Sequence, residues 1–180
     1  MGQLPRWLEP LRRGWLLYHL ADTHFSFMYD LPPADEWVVL DCETTGLDVR
    51  RDQIISIGAV RIVGNRLLTS QRLELLVRPE RALKAASVRV HLLRESDVAQ
   101  GLAPEQAMRQ LLDFIGSRPL VGYYLEFDIA MIDRALIPLL GLDTGLPQAR
   151  YEVSAMYYDW KFRQLPQHER EYARIDLRFA

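Results

Sequence analysis

Apolar and polar positions change rhythm several times along the chain. Over residues 4–20, Leu4, Trp7, Leu8, Leu11 and Trp15 recur at helical spacing, with Arg6, Arg12 and Arg13 on other faces. This predicts an amphipathic helix docked on the domain that follows. "HFSFMYDLPP" ends in Pro32-Pro33 and reads as a connector. Residues 37–41 are apolar on both faces, as expected of a central strand. "QIISIGAVRIV" (53–63) and "RLLTSQRLELLV" (66–77) flank Gly64-Asn65, a two-residue hairpin signal. Pro104 opens a helix that aligns Ala107, Met108, Leu111, Leu112 and Ile115 and closes at Gly116. "PLVGYY" (119–124) reads as a short buried strand, and residues 127–140 as a helix with Ile129, Ile132, Leu136 and Leu140 inward. Three antiparallel strands followed by an α-β-α alternation predict an α/β sandwich with a mixed β-sheet flanked by helices.

The pattern divides the chain into a helical extension and connector (1–34) and one domain (35–180). Hydrophobic residues are 49% and charged residues 26%, ordinary for a globular protein. The formal net charge of -2 offers no bulk attraction to nucleic acid. Of the 22 basic residues only Lys84 and Lys161 are lysine. Arginine suits phosphate contacts, although a genome-wide bias would give the same count. The single cysteine excludes an internal disulfide and fits a reducing cytosol. Cys42 lies in a run that looks buried, so it reads as an inert core thiol. Arg12-Arg13 precedes "GWLLYHL", but no small-residue cleavage pattern follows and no run is long enough to span a membrane. The expectation is a cytoplasmic protein without a membrane partner.

Chemistry concentrates in "DCETTGLD" (41–48). Side chains alternate along a strand, so Asp41 and Glu43 project to the same side and repel each other. A cation between them would resolve the conflict. "VGYYLEFDIAMI" (121–132) then brings Asp128 into the first turn of a helix, where the dipole favours an ionised carboxylate. Three carboxylates at strand and helix ends would form an oxygen-rich cage suited to Mg²⁺ or Mn²⁺; Cys and His at zinc spacing are absent. The plainer readings are strand-end charges for Asp41 and Glu43, a helix cap for Asp128, and a core aromatic for one of Tyr123 and Tyr124.

"DCETTGLD" and "VGYYLEFD" resemble the first two motifs of the DEDD 3′–5′ exonucleases, the family of the proofreading epsilon subunit of bacterial replicative polymerases. "SVRVHLLRESDV" (87–98) is similar to the segment that lies between them in that family. The resemblance covers about residues 35 to 135. It implies a ribonuclease-H-like fold and hydrolysis of a terminal phosphodiester, most readily at the 3′ end of single-stranded DNA, with two divalent metals. Asp41, Glu43 and Asp128 would be the metal ligands and catalytic carboxylates. Thr44, Thr45, Gly46, Leu47 and His91 would line the terminal nucleotide. A DNA polymerase is an implied partner. RNA as substrate, or a noncatalytic nucleic-acid-binding module of the same fold, are the alternatives.

Two departures from the family pattern stand out. Tyr123-Tyr124 occupies a place where the family commonly has His-Asn. No H-x4-D follows Asp128, although Tyr172 and Asp176 have Y-x3-D spacing. The expectation is a third motif beyond Ala180, with residues 1–180 a weak catalyst by themselves. The alternative is that Tyr172 and Asp176 supply it.

Overall fold

In the computed structural model, which describes residues 9–80, 93–140 and 145–167, five strands form one mixed sheet in the order β3-β2-β1-β4-β5. The antiparallel part is β1 (Glu36–Thr44), β2 (Ile54–Val63) and β3 (Arg66–Leu76). β4 (Leu120–Gly122) and β5 (Arg150–Glu152) continue the sheet beyond β1, each parallel to its neighbour. The helices are α1 (Glu9–His19), α2 (Glu95–Ala99), α3 (Pro104–Ile115), α4 (Leu125–Leu140) and α5 (Val153–Gln164). This is the mixed sheet flanked by helices that the sequence pattern predicts, in the ribonuclease-H-like arrangement.

The local signals act as expected at several points. Gly64 adopts φ of 59° in the β2–β3 turn, a left-handed conformation that glycine takes without a steric penalty. Pro104 sits in the first turn of α3, and Gly116 ends the helix. The buried stripe of α3, Ala107, Met108, Leu111, Leu112 and Ile115, meets Val38 and Leu40 of β1, Ile57 and Ala59 of β2, and Ile129, Ile132 and Leu136 of α4 in one core. Burial of each large side chain there contributes about 1.5–3 kcal/mol.

Elsewhere tertiary contacts redraw the boundaries. The segment read as a connector forms a 3-10 helix over Thr23–Tyr29, capped by the Asp22 side chain, and buries Phe25 and Met28. Its short aromatic run lacks a period long enough to announce a helix, but two anchored side chains suffice to fix it. α1 docks through Leu16 and through Arg13, which bonds the Tyr29 carbonyl and the Asp30 carboxylate. β1 extends to Thr44, because Asp41, Cys42 and Glu43 remain paired with Gly58, Ile57 and Ser56 of β2. β5 and α5 were not apparent in the sequence. β5 has only three residues, and α5 has no buried residue among those described.

One contact decides where the second parallel strand stops. A side chain added at Gly122 would place Cβ 2.9 Å from the Leu40 carbonyl and 2.8 Å from Leu125 Cδ1. Glycine therefore lets β4 end against β1 and lets α4 begin beside it. That junction brings the first turn of α4 to the carboxyl end of β1.

Candidate active site

Along β1 the side chains alternate: Val38 and Leu40 face the core, and Asp41 is exposed while Glu43 is half-buried. Asp128, in the first turn of α4, is only 4% exposed. Its carboxylate accepts the backbone N–H of Cys42. Burial, and next the negative charge of Asp41, push the Asp128 carboxyl up to about 7, with smaller upward contributions from Glu43 and Glu152. The structure thus places Asp41, Glu43 and Asp128 in one electrostatic neighbourhood. It also corrects the expectation that the helix dipole keeps Asp128 ionised. A dipole at a helix end stabilises an anion by about 0.3–1 kcal/mol, less than burial beside other carboxylates costs.

Cys42 feels the same surroundings. Burial raises its thiol well above the ordinary value, and Asp128, Asp41 and Glu43 raise it further. It stays a protonated, inert thiol, as the sequence suggested.

The loop after β1 is built around the buried Asp52. Thr45 Oγ1 donates to Asp52 Oδ1 at 3.1 Å and accepts the Gln53 N–H at 3.0 Å. The Asp48 N–H donates to Asp52 Oδ2 at 2.9 Å, and Thr44 Oγ1 donates to the Gly46 carbonyl at 2.7 Å. At Gly46 an added Cβ would lie 2.5 Å from Asp52 Oδ2. The glycine is therefore required by packing within the loop, whatever ligand approaches it. Both threonine hydroxyls shape the loop first, and Leu47, 84% exposed, presents an open apolar surface beside it.

Sequence reasoning missed Glu152. At the end of β5 its Oε1 accepts the N–H groups of Tyr124 and Ser154, each at 3.0 Å, and the Ser154 hydroxyl at 2.7 Å; Oε2 accepts the Leu125 N–H at 2.9 Å. One carboxylate thus caps α4 and α5 together. The bonds from Ser154 lead the set that lowers its pKa to about 2. The only sequence signal was the E-x-S capping pattern at 152–154, too short to stand out. Glu152→Ala is expected to lower the melting temperature and to speed amide exchange at Tyr124 and Leu125 above other α4 amides, measured by hydrogen exchange.

Tyr123 and Tyr124 are both exposed, which corrects the reading that one is a core aromatic. His91, Tyr172 and Asp176 lie outside the described residues. Among the described residues, no three His, Cys, Asp or Glu side chains close into a ready metal cage, and no helix is long and apolar enough to cross a membrane. A separate recess of about 800 Å³ lies behind the 44–53 loop, lined by Arg50, Arg51, Arg78 and Arg134 among others, and contains none of the three carboxylates.

Known proteins resemble the chain in sequence and in fold. The chain is 37% identical over 99 residues to a DNA polymerase III subunit epsilon-like protein of Rhodobacter capsulatus, covering 54% of this chain and 14% of that relative. It is 28% identical over 142 residues to the DNA polymerase III subunit epsilon of Rickettsia felis, covering 66% of this chain and 59% of that one. The chain therefore spans only part of the length of these relatives. In fold it matches E. coli exonuclease I, solved with zinc and single-stranded DNA, at a TM-score of 0.64 and 12% identity, over 76% of this chain and 32% of that one. A family model described as "Exonuclease" matches residues 38–170. Since that match takes in the sheet and α2 to α5, the chain belongs to this exonuclease family.

Proposed function

We propose that the protein is a 3′–5′ exonuclease that removes nucleotides from single-stranded DNA ends with the aid of two divalent cations, in proofreading, repair or end trimming. The observation that carries this reading is the charge coupling of buried Asp128 to Asp41 and Glu43 at the end of β1, which together with burial raises the Asp128 carboxyl to about 7. Such crowding of acidic groups is costly unless positive charge is shared among them. The donors are all oxygen, the chemistry of Mg²⁺ and Mn²⁺. Cations there would be held by Asp41, Glu43 and Asp128 and would supply an activated water and a stabilised leaving oxygen. Glu43 would orient the water, and Asp128 would release its proton on loading. A DNA polymerase partner is supported by the named epsilon relatives.

One observation favours a noncatalytic strand-binding module instead, namely the lack of a ready three-ligand cage among the described residues. The two readings part in a single assay. Single-stranded DNA labelled at one end, incubated with Mn²⁺ and the protein, is expected to release mononucleotides from the 3′ end. Release from the 5′ end would overturn the polarity, and binding without release would favour the module.

A further inference from the structure

We infer that Tyr123 and Tyr124 form a stacking platform for the terminal base of a single-stranded nucleic acid, an inference that rests on the exonuclease reading above. The two rings are 60% and 69% exposed at the junction of β4 and α4. Their centroids lie 4.7 Å apart at 82°. Two rings set edge to face make a corner, in which a flat base can lie on one ring and meet the other at its edge.

The backbone supplies the second observation. Tyr124 adopts φ of 55°, a left-handed conformation that bulky residues avoid and glycine or asparagine takes readily. If the turn were all that mattered, a small residue would make it without strain. Instead a tyrosine is held there by Glu152, which accepts its N–H at 3.0 Å and that of Leu125 at 2.9 Å. Strain retained at an exposed aromatic residue points to a use for the ring.

Position connects the ring pair to the carboxylates. Asp128 follows Tyr124 by four residues, and Gly122, just before Tyr123, lies against the carbonyl of Leu40, the neighbour of Asp41. The Glu152 carboxylate is occupied by the Tyr124 and Leu125 N–H groups, so the neutral ring faces are the natural handle for the base. Stacking tolerates every base, as trimming of arbitrary sequence requires.

The test uses a single strand with 2-aminopurine at its 3′ terminus, in Ca²⁺ without turnover, titrated with the wild type and with Tyr123→Ala, Tyr124→Gly and Tyr123→Phe. Binding by the wild type is expected to quench the terminal fluorophore. The Ala and Gly variants should lose most of the quench and bind about 10-fold more weakly, while Tyr123→Phe retains both. Tyr124→Gly relieves the positive φ and should keep or raise the melting temperature, so its weaker binding cannot be ascribed to unfolding. A strand ending in an abasic nucleotide should bind the wild type as weakly as the intact strand binds the variants. Undiminished quench and affinity in Tyr123→Ala and Tyr124→Gly, with wild-type 3′ trimming intact, overturn the platform alone. A wild type that neither binds nor trims the strand overturns the platform and the exonuclease reading together.

Discussion

Asp41→Asn is expected to slow removal of the terminal nucleotide by at least about 10³-fold, because charge stabilisation by ions held at carboxylates supplies several kcal/mol to such a transition state. The substitution keeps the size of the side chain and changes only its charge. Asp41 is exposed on the strand, so the fold has no packing to lose. Its charge also raises the Asp128 carboxyl, and removing it should let Asp128 ionise more easily. The variant should therefore be nearly inactive yet at least as stable as the wild type above about pH 7. Asp113→Asn, which removes the same charge from the exposed face of α3 where Asp113 meets His24, is the control and should leave the rate within about 2-fold. Single-turnover release of a 3′-terminal label and thermal melts on the same preparations give both readouts. Equal rates for Asp41→Asn and wild type would remove Asp41 from the chemistry.

How much of this could be read in the sequence varies with the physical origin of each feature. Patterns fixed by local periodicity were legible: the β2–β3 hairpin at Gly64-Asn65, the buried stripe of α3, and the alternation that puts Asp41 and Glu43 on one side of β1. The junction that delivers Asp128 was legible only in part. "VGYYLEFD" announced a strand, a turn and a helix, but the shortness of β4 depends on the fit of Gly122 against Leu40, a contact between segments far apart in sequence. The role of Glu152 was hidden for the same reason, because its partners Tyr124 and Leu125 precede it by 28 and 27 residues. The ionisation of Asp128 was misjudged, since a helix terminus is visible in a sequence and the depth of burial is not.

That depth makes a second prediction, for the metal-free protein. Asp128 titrates at 3.8 when unperturbed and at about 7 in the fold. The folded state therefore keeps a proton that the unfolded chain releases as pH rises between those values. The stabilisation linked to this proton is complete below about pH 4 and is lost as pH rises through 7. A ceiling of about 4 kcal/mol follows from roughly 1.4 kcal/mol per unit of pKa. Solvent beside exposed Asp41 reduces it to about 2–3 kcal/mol; somewhat over half of this falls between about pH 5 and pH 8, so the protein should melt roughly 3–7 °C lower at about pH 8 than at about pH 5. Glu152 does not disguise the effect. Its carboxyl is lowered from 4.5 to about 2, so its contribution is present above 4.5 and is lost only as pH falls toward 2. Asp128→Asn keeps an oxygen for the Cys42 N–H and removes the titration; it should flatten the profile and raise the melting temperature at about pH 8. Mn²⁺ should stabilise the wild type more at about pH 8 than at about pH 5, since a cation must displace the proton to bind, and should do little for Asp128→Asn. A variant with the same pH slope as the wild type would locate the slope elsewhere. A Mn²⁺ effect that survives in Asp128→Asn would take this carboxylate out of the cation site.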